Sequence, residues 1–245
     1  MRTTRNMARM EALPKNLPFG PAMEHFQNAP RPTDPVRRRL VEFYHPVLSR
    51  KDWQGRSFDE IISLYDEDLD KNYNFMNWLF PCTERTDIPH QLNEYAVPIL
   101  DENTFLLMRQ DEGIGQNLKL AVMRMLIFFG YRTTWHTVGA IEVPTMAEIP
   151  GRTEKFKYWA TQGSQGYMHL ARIMRSVRLM GYANIAGVIL RALRYSILQW
   201  QLFDGWPQDT VDTIIATWER AVYAKLEVAL DRKVYAEWLD RYNYP

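Results

Sequence analysis

Four carboxylates crowd into the stretch "DEDLD": Asp66, Glu67, Asp68 and Asp70. On a helix Asp66 and Asp70 lie four apart on one face with Glu67 beside them. Such a set can converge on a hard cation such as Mg²⁺, which takes oxygen ligands and keeps several waters. Asp66, Glu67 and Asp70 are therefore the candidate metal ligands and catalytic centre, against the competing account of an acidic run as a solvated helix face. A hundred residues later Arg172, Arg175 and Arg178 recur every third position. Guanidinium forks at that spacing can grip a diphosphate, with Arg172 and Arg175 as the candidate binders.

Between these charges runs "LDKNYNFMNWLFP", residues 69 to 81, which threads three Asn through four aromatics and a Met. Phe75, Trp78, Leu79 and Phe80 read as core, whereas Asn74 and Asn77, three apart, are placed to face a cavity. Tyr73, Asn74, Asn77 and Trp78 are the candidate substrate-side residues. With Phe128, Phe129, Trp159, Tyr167 and Trp200, these aromatics either line an apolar pocket or pack the core, the commoner fate. His25, His45, His90, His136 and His169 are scattered and none pairs at metal-ligand spacing, so each reads as structural or surface. Cys82, the single cysteine, follows Pro81 with no helix N-terminus or cation to activate it.

The elements that must position these groups read as helices. Pro30, Pro32 and Pro35 punctuate the end of a basic segment, and Asp34 stands where it caps a helix starting at Pro35. Residues 1–33 are expected to be a flexible arm and 34–245 one helical domain. Ser57 and Glu60 form a capping-box pattern, so a helix should run from 58 toward 80, broken near the acidic cluster and stopped by Pro81. Residues 82–101 read as a loop or strand-like excursion. Asp101 then opens a short helix, followed by a longer one with Leu118, Val122, Met125, Leu126 and Phe129 on one face and Gly130 as its stop. Residues 131–151 form an irregular connection with room for a short β-hairpin. Three further helices follow, around "YMHLARIMRSVRLM", around "IAGVILRALRYSILQW", and from "TVDTIIATWERAVY" on to 239. Neither a repeat nor a glycine-rich phosphate loop occurs. The expected fold is all-α, one domain of about seven to nine helices around an irregular mid-chain loop.

Composition bounds the function classes. Lys and Arg number 30 against 29 Asp and Glu, so no global field draws the chain to nucleic acid, and no apolar run approaches a membrane span. The cysteine usage suits a reducing compartment, cytoplasmic or nuclear. Oligomeric state is left open.

Several landmarks occur in a familiar order: "FY" at 43, "LDKNYNFMNWLFP" at 69, "RMLIFFGY" at 124 and "HLARIMRSVRLMGY" at 169. Over about residues 40 to 195 this order resembles the conserved N-terminal domain of the opioid growth factor receptor family. The match includes an intact Trp78-Leu79-Phe80-Pro81 and the Arg172-Ile173…Ser176…Gly181-Tyr182 helix. Where that family shows His-Asp this chain has Tyr73-Asn74; where it shows Glu this chain has Asp70; where it shows a His/Asn pair this chain has Gln165-Gly166. The resemblance implies a helical fold, and the lost titratable groups imply a specialised ligand. The Asp-Glu-x-x-Asp spacing at 66 to 70 is also similar to the first metal motif of class I terpene synthases, and Arg241-Tyr242 to the pair that closes their pockets. Their second metal motif is missing, with Asp212 and Glu219 only approximating it. The leading expectation is a helical enzyme binding an apolar phosphorylated small molecule, such as a Mg²⁺-dependent isoprenoid diphosphate lyase or cyclase. The rival is a non-catalytic binding or regulatory module for a peptide or protein partner.

Overall fold

The computed structural model describes residues 33–71, 73–83, 98–138, 141–226, 236, 238 and 239. The expected arm and the Arg241-Tyr242 pair lie outside the described residues. Asp34 accepts the Val36 and Arg37 amides and opens α1 (Pro35–Tyr44). The capping box of Ser57 and Glu60 starts α2 (Phe58–Ile62). The helical stretch expected from 58 toward 80, broken near the acidic cluster, is three pieces: α2, then α3 (Asp66–Lys71), then a 3-10 turn at Tyr73–Phe75 leading into α4 (Met76–Leu79). The first break falls before the acidic cluster, at residues 63–65. Arg124 causes it to hold, donating to the Ile62 carbonyl at 3.1 Å and the Leu64 carbonyl at 2.6 Å, so those acceptors need no helical partner.

Cys82 forms a parallel bridge with Ile99, a strand-like contact at the edge of the expected loop. Asp101 caps α5 (Glu102–Gln110), and Asp111 ends it while capping α6 (Glu112–Phe128). Gly130, at φ +98°, turns the chain into β1 (Tyr131–Val138), which pairs antiparallel with β2 (Ile141–Glu148) from Tyr131↔Glu148 to Val138↔Ile141. The fold is therefore mostly helical with a small two-stranded sheet, not all-α; the region read as irregular is a regular hairpin. Four helices complete the described residues: α7 (Thr153–Phe156), α8 (Gly166–Leu179), α9 (Ala183–Trp200) and α10 (Gln208–Tyr223). The last was expected to reach 239, but Ala224 turns extended and ends it.

Helix α8 occupies the centre, packed against α9 and α10, while β2 lies on α9 and β1 on α6. Apolar residues at helical spacing supply most of its contacts: Leu170, Ile173, Met174 and Val177 are all buried. Trp78, Trp159 and Trp218 are the largest buried side chains, and each fully buried Phe nearby, such as Phe75 or Phe80, stabilises the fold by about 1.5–3 kcal/mol. The same helix buries polar groups as well: His169, Arg172, Arg175 and Ser176 are all at most 1% exposed. Among the described residues no helix is long and apolar enough to cross a membrane.

Candidate functional site

The acidic cluster is distributed among separate partners. Asp66 accepts from Arg124 Nη2 at 2.8 Å through one carboxylate oxygen and pairs with Lys155 Nζ through the other, tying α3 to α6 and α7. Asp68 pairs with Lys71 at the surface. Asp70 accepts the Tyr73 hydroxyl at 2.9 Å, and Glu67 is exposed. Two cations thus already supply to Asp66 the positive charge that a metal would bring. Among the described residues no three His, Cys, Asp or Glu side chains converge in a metal-binding group.

The segment between the charges is largely interior. Trp78 is buried edge-on to Phe43, at a centroid distance of 5.5 Å, and Asn77 is buried beside it in the chain. Asn74 is half-buried. Tyr73 is half-buried and does two things at once. Its hydroxyl is held by Asp70, and its ring stacks on His169 with centroids 4.2 Å apart. Burial, then Asp70, raises the phenol above its ordinary range, so it stays a protonated donor. Phe128 meets Tyr73 edge-on and stacks on Tyr158, making an aromatic wall of three rings.

The three arginines of α8 are not equivalent. Arg178 Nη1 donates to the Ala221 carbonyl at 2.9 Å. Arg175 donates to the Lys225 carbonyl at 3.4 Å and to that of Leu226. Both satisfy carbonyls at and just beyond the end of α10, where a helix leaves acceptors unpaired and its dipole favours cations. They read as structural. Burial and the neighbouring Arg175 bring Arg178 down to about 10. Ser176 donates to the Pro81 carbonyl at 2.9 Å, fastening α8 to the end of the tryptophan segment.

Arg172 differs: it is 1% exposed, and Nε, Nη1 and Nη2 are all buried without a hydrogen-bond partner among the described residues. A guanidinium cannot escape by losing its proton, so an uncompensated one inside the protein costs several kcal/mol. One turn earlier on the same face, His169 Nε2 is likewise buried without a partner. Burial, then the charge on Arg172, pushes His169 down to about 3, so it is neutral at physiological pH. The pair presents a fixed positive fork beside a neutral imidazole, with Tyr73 lying over the imidazole. Chemically the arrangement suits an anion: a carboxylate or phosphate would supply the missing acceptors, and the imidazole would hydrogen-bond a further polar atom.

Of the residues expected to form the site, the structure brings Asp70, Tyr73 and the His169–Arg172 face of α8 into one chain of contacts and gives Asp66, Arg175 and Trp78 other duties. His169, read as structural or surface because a lone histidine carries no motif, is buried on this face; the available signal was its place three before Arg172 among the apolar Leu170, Ala171 and Ile173. No protein-family model matches the chain, and no solved structure matches it.

Proposed function

We propose that the protein binds a small anionic molecule with an apolar body on the His169–Arg172 face of α8, beneath Tyr73. The observation that carries this reading is the buried guanidinium of Arg172, whose nitrogens have no acceptor among the described residues. Arginine's planar fork suits a carboxylate or a phosphate, and the nearby rings of Tyr73, Phe128 and Tyr158 suit an apolar or unsaturated body. A Mg²⁺-dependent isoprenoid diphosphate enzyme is the fuller form of this reading. It further requires Asp66 to exchange Lys155 or Arg124 for a metal shared with Glu67 and Asp70.

Thermal unfolding tests it with inorganic phosphate, pyrophosphate, dimethylallyl diphosphate and the uncharged dimethylallyl alcohol, each with and without Mg²⁺. A ligand bound only by the native state raises the unfolding temperature by mass action. Stabilisation by the diphosphate but not the alcohol supports an anion site with an apolar compartment, and a requirement for Mg²⁺ supports the enzyme form. No stabilisation by any of the anions overturns the reading.

A further inference from the structure

A cavity lies apart from the His169–Arg172 face, along α9. Where β2 packs along that helix, a groove of about 500 Å³ opens, within the range of small-molecule sites. Its walls are apolar: Pro144 and Met146 from β2, Val188 and Ala192 from α9. The polar groups that line it are mostly committed elsewhere. Thr145 shares a hydrogen bond with Thr134 at 2.7 Å across the hairpin. Glu148 is held from three sides, accepting from Ser196 at 2.7 Å and from Trp200 at 3.0 Å and pairing with Arg152, so it presents no bare negative charge to the groove.

Besides the exposed phenol of Tyr195 at the rim, two groups are left over. The Tyr131 hydroxyl, on a fully buried side chain, has no hydrogen-bond partner among the described residues. Ser196 is close enough to oppose the rise in its pKa, but no hydrogen bond joins the two hydroxyls, and Ser196 donates to Glu148 at 2.7 Å. Burial keeps the phenol protonated, hence a donor. Arg191, exposed on the α9 side, has no acid partner among the described residues. A buried donor without an acceptor costs about 1–3 kcal/mol, which a ligand oxygen would recover.

We propose that this groove binds an amphipathic carboxylic acid bearing a second oxygen. The acid group pairs with Arg191, the apolar chain lies against Met146, Val188 and Ala192, and the second oxygen accepts from Tyr131.

Calorimetric titration with decanoate and 10-hydroxydecanoate tests the proposal on the full chain, comparing wild type with Tyr131→Phe and Arg191→Glu. Tyr131→Phe removes one oxygen and Arg191→Glu changes an exposed side chain, so both variants keep the fold. The hydroxy acid is expected to bind about fivefold tighter than decanoate, a preference lost in Tyr131→Phe. Arg191→Glu is expected to weaken both acids about tenfold or more. If neither acid binds the wild type, or both bind all three proteins alike, the proposal is overturned. Binding abolished by Arg172→Met would also overturn it, because the acids would then occupy the α8 site.

Discussion

Tyr73 lies on His169 with ring centroids 4.2 Å apart and planes inclined by 24°, and its hydroxyl is tethered to the exposed Asp70. The phenol is thus the half-buried cover of a fully buried imidazole. Tyr73→Ala should admit water to His169 and let its pKa rise from about 3 toward the usual histidine value, 6.5. Tyr73→Phe, which keeps the stack and loses only the Asp70 tether, should leave it low. Proton NMR titration of the His169 ring distinguishes them; an unchanged value in Tyr73→Ala would show that the phenol covers nothing.

Folding lowers the His169 pKa from 6.5 to about 3, so the unfolded chain binds this proton more strongly. Below pH 6.5 the unfolded state takes up the proton while the native state remains neutral. Stability therefore falls as pH drops toward 3, by up to about 1.4 kcal/mol per pH unit from this group. His169→Asn removes the titration, so urea unfolding at pH 4 to 7 should give a flatter pH dependence than wild type. Equal slopes would contradict a buried neutral imidazole.

Asp66 ties three helices through Arg124 and Lys155. Asp66→Asn should cost about 2 kcal/mol, because the carboxylate is only about one-quarter exposed and Arg124 less, whereas Glu67→Gln on the open surface should change stability by less than about 0.5 kcal/mol. Thermal melts of the two variants measure the contrast. Equal, negligible losses would return the acidic run to a role outside the scaffold.

Gly166 begins α8 where the helix rests on backbone: a Cβ there would stand 2.0 Å from the Tyr158 carbonyl oxygen and 2.7 Å from the Trp159 Cα. Gly166→Ala should therefore destabilise by about 3 kcal/mol, the cost of forcing two backbones apart. A melt within a degree of wild type would mean that the contact yields without strain.

What could be read from the sequence was what neighbouring residues decide. The caps at Asp34, Ser57 with Glu60, and Asp101 are local hydrogen bonds between residues two or three apart, and their sequence pattern carries them. The apolar face of α6 is a matter of periodicity and was equally plain. A break near the acidic cluster was expected, but its place at 63–65 was not legible there, because Arg124, some sixty residues away, takes the carbonyls. The three arginines of α8 looked alike because their spacing is alike. Arg175 and Arg178 separate from Arg172 only because α10 ends opposite them, a fact of tertiary packing. The hairpin was legible only as a possibility, since Gly130 and Pro150-Gly151 frame it as they would frame a loop.

In the proposed reading, Arg172 is kept buried and without an acceptor among the described residues for a ligand, at the expense of stability. Arg172→Met keeps the apolar length of the side chain and removes the charge. The most direct measurement is the unfolding free energy of wild type and Arg172→Met, each with and without dimethylallyl diphosphate. The account expects the ligand-free variant to be at least as stable as wild type, because an uncompensated buried charge has gone, and the ligand to stabilise wild type alone. A variant that loses several kcal/mol without ligand, or that is stabilised by the diphosphate as much as wild type, would contradict it.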